Sequence, residues 1–129
     1  MISRAVVDGT KFGLKLYKEL VSLRLTVFLD DHNLRHGHNW IRTVNDAILN
    51  CRIFVPIITS SYGLTLWSLK EIEMAKTLNP QKIIIPVTFL KYWPPLHLCI
   101  QLNSTTPIKA IPDNKMPKSG KVKKWKSED

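Results

Sequence analysis

The stretch Arg52-Ile-Phe-Val-Pro-Ile-Ile-Thr59 is apolar at every position between its polar ends. An apolar run of this length, with no polar face, is typical of a strand covered on both sides by helices, as in a parallel sheet. A second run of the same kind spans residues 82–89, and residues 25–30 form a third strand-like segment. The sequence therefore predicts that these three segments are strands of one sheet.

Segments with helical spacing of apolar residues lie before and between these strands, at residues 10–23, 39–50 and 66–78. Their stripes consist of Phe12, Leu16 and Leu20; of Ile41, Val44 and Ile48; and of Leu66, Leu69 and Ile72. Asp8 is predicted to cap the first helix. Helices that alternate with strands predict an α/β fold, a flavodoxin-like three-layer arrangement with a parallel sheet. Residues 106–110 are a candidate for a further short strand.

The segment before the first helix is short for this fold. Only Met1-Ile-Ser-Arg4 precedes it, whereas the first strand of a flavodoxin-like sheet lies inside the sheet. We therefore expect the first strand to be largely missing, which leaves its neighbours short of hydrogen-bond partners. On this interpretation residues 1–110 form an N-terminally truncated domain.

The composition fits one small globular domain, since the chain has 129 residues of which 44% are hydrophobic. No apolar run approaches the roughly 18 residues of a membrane span, and no secretory signal is recognisable. Cys51 and Cys99 form neither a disulfide framework nor a zinc spacing. These observations predict a protein of a reducing compartment, the cytoplasm.

Positive charge is concentrated towards the end of a chain whose net charge is +9. Residues 111–129 are rich in lysine and lack hydrophobic periodicity, so we predict a basic, disordered tail. The alternative is a weak attraction to phosphate-rich partners or anionic lipid. Nothing in the tail could distinguish one base sequence from another, so no specific nucleic-acid partner is expected.

Four segments carry more specific information. They are Val27-Phe-Leu-Asp-Asp-His-Asn-Leu-Arg-His-Gly37, residues 47–62, Leu66-Trp-Ser-Leu-Lys-Glu-Ile72, and Ile84-Ile-Pro-Val87 with Tyr92-Trp-Pro-Pro95. In this order they resemble the second strand and its loop, the next helix, strand and turn, the Trp-x-x-x-Glu helix, and the fourth strand with its aromatic-proline loop of Toll/interleukin-1 receptor (TIR) domains. The resemblance covers residues 2–108 and is closest to the NAD-cleaving members. It implies a signalling domain that assembles with other TIR domains.

Glu71 completes the Trp-x-x-x-Glu pattern. The resemblance implies that it is the catalytic residue for hydrolysis of the nicotinamide–ribose bond of NAD⁺. A carboxylate suits this reaction, because cleavage of an N-glycosidic bond develops positive charge on the ribose. Trp67, four residues earlier, projects from the same helix face and would form a wall for the substrate. The alternative is a capping box, in which Ser68 begins the helix and Glu71 accepts from a backbone N–H.

The resemblance implies three further contacts with NAD⁺, which would be a substrate rather than a bound cofactor. Arg4 lies where active members place basic residues near the phosphates, Trp93 where they present an aromatic ring to a base, and Phe28 on the strand that faces the cleft. The plain alternatives are a solvated arginine, a surface tryptophan packed on prolines, and a core phenylalanine.

The loop after residue 29 is implied to be an assembly surface. Its residues include Asp30, Asp31, Leu34, Arg35 and Gly37. Three histidines of the same region, His32, His36 and His38, are ligand types that suit zinc. No cysteine or second cluster completes a tetrahedral set, so a polar loop without metal is predicted.

Two functions of different kinds follow. One is an interaction module that transmits a signal by TIR–TIR assembly, and the other is an NAD⁺ hydrolase of the same fold. They are compatible, because family enzymes generally become active on assembly. A catalytically inactive adaptor or a degenerate fragment is the third alternative.

Overall fold

The computed structural model describes residues 1–29, 40–78 and 82–110, with Trp40 described by its backbone alone. Within these ranges the strands are β1 (Ile2–Ser3), β2 (Ile53–Ile58), β3 (Ile83–Ile84), β4 (Val87–Thr88) and β5 (Ile108–Lys109). The helices are α1 (Val6–Ser22), α2 (Trp40–Asn50), α3 (Leu66–Leu78) and α4 (Cys99–Leu102), with a 3₁₀ turn at Leu96–Leu98. The predicted assembly loop, from Asp30 to Gly37, the neighbouring histidines and the tail at 111–129 lie outside the described residues.

The strands form a parallel sheet with β2 at its centre. β2 pairs with β1 on one side and with β3 and β4 on the other, and β4 pairs with β5. A parallel bridge between Ile2 and Leu29 places the segment that ends at residue 29 beside β1. This is the flavodoxin-like strand order, so the predicted α/β fold is confirmed.

The first strand is only two residues long, as expected, yet it lies inside the sheet. Ile2 pairs with Val55 of β2, and its N–H donates to the carbonyl of Phe28 on the opposite side at 2.9 Å. Arg4 follows directly at the carboxyl end of the strand. In open α/β sheets this edge is where ligands bind.

Two of the predicted strands are shorter than the sequence pattern indicated. The apolar run at 82–89 is divided into β3 and β4, because neither Ile85 nor Pro86 belongs to a strand. Pro86 has no N–H to donate to a neighbouring strand, although β2 continues through Pro56, so proline alone does not account for the break. Of the predicted strand at 25–30, the described residues contribute one bridge, at Leu29. The tentative strand at 106–110 is confirmed as β5.

Helix α1 begins at Val6, ahead of the predicted start at residue 10, and its N-cap residue is Ala5. Asp8 therefore lies within the first turn, and the prediction that it caps the helix is wrong. Its carboxylate instead accepts hydrogen bonds from the Thr59 hydroxyl at 2.5 Å and the Ser61 backbone N–H at 3.1 Å. These bonds attach the start of α1 to the loop that follows β2.

The hydrophobic core forms where β2 packs against the helices and the C-terminal turn. Phe54 and Ile58 of β2 are completely buried in it. The other fully buried members that pack with them are Ile48, Tyr62, Ile72, Ala75, Leu98 and Leu102. The predicted bounds of α3 are confirmed at both ends. The core thus fixes α3 relative to the sheet, on which the geometry of the site depends.

Candidate functional site

A cleft of about 440 Å³ lies where β1 ends and α3 begins. In the described part of the chain it is lined by Arg4, Val6, Val7, Thr65, Leu66, Trp67 and Ser68. The fold thus brings together two residues predicted for substrate binding, Arg4 and Trp67, that are distant in sequence. The apolar side chains of Val7 and Leu66 are 74% and 66% exposed, so the walls of the cleft include apolar surface open to solvent.

Polar contacts fix the wall of the cleft at the beginning of α3. Gly63, in the preceding turn, has a φ of 85°, a conformation that glycine adopts without strain. Its N–H donates to Ser68 Oγ at 2.9 Å, and the Thr65 and Ser68 hydroxyls are hydrogen-bonded at 2.5 Å. Since α3 begins at Leu66, Ser68 lies within its first turn. The alternative of a capping box opening at Ser68 is therefore wrong.

Glu71 lies one turn further along α3 and is only 3% exposed. It follows Trp67 by four residues and Ser68 by three, so all three project from the same side of the helix. Glu71 Oε1 accepts a hydrogen bond of 2.5 Å from Ser3 Oγ, the residue before Arg4. The carboxylate is thus bonded to a residue adjacent to one wall of the cleft and carried by the helix that forms the other.

Tyr62 completes this group, with its hydroxyl 2.6 Å from Ser3 Oγ. A serine hydroxyl has one proton to donate, and that of Ser3 goes to Glu71. The hydrogen bond between Tyr62 and Ser3 is therefore donated by the tyrosine. The pKa of Tyr62 lies well above its ordinary value, because burial and, next, the Glu71 charge disfavour the phenolate. The phenol accordingly keeps its proton.

Arg4 is 8% exposed and lies along a glycine face of α1. A methyl group added at Gly9 would lie 3.1 Å from Arg4 Cβ, and one added at Gly13 would lie 2.9 Å from Arg4 Cδ. Both glycines are needed for this close approach, and they stand one turn apart in the helix. The solvated arginine considered from the sequence is wrong, because α1 encloses the side chain.

The other two predicted contacts lie against the core. Trp93 is partly buried, packs on the core and donates from Nε1 to the Thr105 carbonyl at 3.0 Å. Phe28 is also partly buried against the core. Neither residue is among those that line the cleft in the described ranges. Their roles in NAD⁺ binding stay predictions.

The arrangement combines groups that suit recognition of a cationic or phosphorylated nucleoside. Arg4 contributes a cationic side chain and Trp67 an aromatic ring to the lining of the cleft. Glu71 is not among the residues that line the cleft in the described ranges; its carboxylate lies one turn along α3 from Trp67 and bonds Ser3, the residue before Arg4. Sequence reasoning missed Ser3 and the glycine face of α1. The Gly-x-x-x-Gly spacing of Gly9 and Gly13 was a usable signal for a close approach to that helix. The contact of Ser3 with Glu71 had no comparable signal.

Other kinds of site were also considered. Among the described residues, no three His, Cys, Asp or Glu side chains are grouped so that they could hold a metal ion. No helix within the described ranges has the length and apolar character required to cross a membrane.

Comparison with known families agrees with the fold. A family model described as TIR domain matches residues 1–113. The match covers most of the 129 residues, so the chain belongs to the TIR domain family. It is a signalling module of that family.

Proposed function

We propose that this TIR domain hydrolyses the bond between nicotinamide and ribose in NAD⁺, with Glu71 as the catalytic residue. The observation that carries the proposal is the buried Glu71 carboxylate, held between the end of β1 and the first turns of α3. Arg4 and Trp67 line a cleft, and Glu71 is tied to both of its walls through its bond to Ser3 and its place four residues after Trp67. Buried carboxylates beside a cleft are uncommon away from functional sites.

In the proposed reaction Glu71, Arg4 and Trp67 each have one role. Departure of nicotinamide leaves positive charge on the ribose, and the negative charge of Glu71 stabilises it. Water then adds to the ribose and loses a proton, giving nicotinamide and ADP-ribose. Arg4 would bind the pyrophosphate, and Trp67 would form one wall of the pocket. Trp93 and Phe28 are assigned to the substrate by the family resemblance alone.

We further propose that the chain acts by assembly with other TIR domains. The loop that carries Asp30, Asp31, Leu34, Arg35 and Gly37 would supply one surface. The exposed apolar side chains of Val7 and Leu66, next to the cleft, favour a second protein surface nearby. If NAD⁺ is not cleaved, assembly alone is the function, and the protein is an adaptor.

The first experiment measures nicotinamide release from NAD⁺ by purified wild-type chain and by Glu71→Ala at high protein concentration. Glu73→Ala is the matched control, since Glu73 is an exposed glutamate of the same helix. Circular dichroism verifies that each protein is folded. We expect release by the wild type and by Glu73→Ala, and none by Glu71→Ala. Equal release by Glu71→Ala would exclude the assigned role, and a folded wild type without release would favour the adaptor.

The role of Arg4 predicts an unusual response to Gly13→Ala. The new methyl group would occupy the space of Arg4 Cδ, which displaces the arginine from its place on α1. We expect KM for NAD⁺ to rise roughly 10-fold, the usual loss when a charge-assisted hydrogen bond to phosphate is weakened. Alanine favours the helix by about 1 kcal/mol relative to glycine, and the close contact with Arg4 opposes this gain, so the melting temperature should change little.

Steady-state kinetics and thermal unfolding of the same preparation check this prediction. Leu14→Ala serves as the control, because it also places alanine in α1, at a side chain that is 45% exposed. An unchanged KM in Gly13→Ala would show that the position of Arg4 does not matter for NAD⁺.

A further inference from the structure

The Glu71 carboxylate accepts a hydrogen bond from Ser3, and Ser3 is in turn bonded by Tyr62. Ser3, at the end of β1, stands 68 residues before Glu71 and 59 before Tyr62. Ser3 is 1% exposed and Tyr62 is completely buried. Burial of a polar group destabilises the fold unless the group forms a hydrogen bond. Here the hydrogen bonds run in one direction, from Tyr62 to Ser3 and from Ser3 to Glu71.

We propose that Ser3 and Tyr62 are positioning residues, which hold the Glu71 carboxylate in one orientation beside the cleft. This inference rests on the proposed NAD⁺ hydrolysis as far as its kinetic consequences are concerned. The Ser3 hydroxyl bonds the Glu71 carboxylate and the Tyr62 hydroxyl bonds that of Ser3, so both would act through Glu71. The glutamate side chain has several rotatable bonds, and a carboxylate that moves among rotamers stabilises a developing charge less well than a fixed one.

The two hydrogen bonds, from Tyr62 to Ser3 and from Ser3 to Glu71, should differ in their effect on the carboxylate. Ser3 bonds the carboxylate itself, and hydrogen bonds to charged groups are about twice as strong as those between neutral groups. The Tyr62 hydroxyl bonds Ser3 rather than Glu71, and it keeps the serine hydroxyl pointed at Glu71. Removal of the serine hydroxyl should therefore have the larger effect.

Kinetics of three variants test this order. We expect Ser3→Ala to lower kcat roughly 10-fold or more, and Tyr62→Phe to lower it about three-fold, with KM within about two-fold of wild type in both. Each substitution removes one oxygen and keeps the rest of the side chain. Ser22→Ala is the control, because its exposed hydroxyl bonds the Glu19 carbonyl at the end of α1. A rise in KM at constant kcat, or equal rates in wild type and Ser3→Ala, would overturn the proposal.

A spectroscopic measurement separates this inference from the hydrolysis itself. The chain contains four glutamates, Glu19, Glu71, Glu73 and Glu128, so ¹³C labelling of their side-chain carboxyls gives a short NMR spectrum. The Glu71→Gln variant identifies the Glu71 resonance. We expect Ser3→Ala and Tyr62→Phe to shift that resonance and Ser22→Ala to leave it unchanged. A Glu71 signal unmoved in both variants contradicts the positioning role.

The two proposals can thus fail separately. Absence of nicotinamide release from folded wild type contradicts the hydrolysis. Even then, a Glu71 resonance that shifts in Ser3→Ala and Tyr62→Phe supports the role of these two residues in orienting the carboxylate. Release that persists with an unmoved resonance supports the hydrolysis and contradicts the role of Ser3 and Tyr62.

Discussion

On the proposed mechanism, we expect nicotinamide release by Glu71→Gln to be roughly 100-fold or more below that of wild type, the usual loss when one preorganised electrostatic contact with a transition state is removed. Glutamine has nearly the size of glutamate, and its amide oxygen can still accept the hydrogen bond from Ser3. The amide carries no charge, however, and cannot balance the positive ribose. The loss should therefore appear in kcat, with KM changed little.

Stability measurements separate this loss of charge from a loss of structure. Since the Ser3 bond survives in Glu71→Gln, we expect the melting temperature to stay within about 5 °C of wild type. Glu71→Ala should be less stable than Glu71→Gln, because it leaves the buried Ser3 hydroxyl without its acceptor. A Glu71→Gln variant that keeps more than a tenth of wild-type kcat would show that the charge is not what accelerates cleavage.

The largest effect on stability is expected for Phe54→Ala. Phe54 lies in the central strand β2 and is completely buried among residues of α2, α3 and the C-terminal turn. Removal of a buried phenylalanine ring typically costs about 3–5 kcal/mol, from lost burial and the cavity that remains. Domains of this size are typically stable by only about 5–15 kcal/mol. The variant should therefore be close to its unfolding threshold.

Urea unfolding at 25 °C measures this difference directly. Ile53→Ala is the matched control, because Ile53 is the neighbouring residue of the same strand but is 41% exposed. We expect it to lose less than about 1.5 kcal/mol. Equal losses in the two variants would contradict the assignment of Phe54 to the interior of the core.

Most of the fold could be predicted from local patterns. The apolar run around β2 predicted this strand because neighbours bury most of it, which leaves a pattern in the sequence. The stripe of α3 predicted that helix although it is buried only in part, since Ile72 is buried and Leu66 is 66% exposed. Local patterns were less informative where tertiary contacts decide the boundaries. Asp8 is of a residue type common at helix N-caps, yet its carboxylate accepts hydrogen bonds from Thr59 and Ser61, in the loop after β2.

The candidate site was less predictable than the fold. Glu71 and Trp67 belong to a short motif and could be recognised together, and the structure places Trp67 in the cleft. Ser3 and Tyr62 could not be assigned as partners of Glu71, because hydrogen bonds between side chains so far apart leave no periodicity in the sequence. Such partners follow from the packing of α3 and the turn after β2 against the end of β1, which sequence patterns do not specify.

The glycine face of α1 implies a conflict between durability and activity. Each glycine inside a helix costs about 1 kcal/mol relative to alanine, so Gly9 and Gly13 make α1 weaker than a helix of ordinary residues. Replacement of helical glycines by alanine is a common way to raise thermal stability, so Gly9 and Gly13 would be early targets. The higher helix propensity of alanine would be offset by its contact with Arg4, which would have to move. If Arg4 binds NAD⁺ as proposed, substitutions chosen for helix stability at these two positions would disturb substrate binding instead.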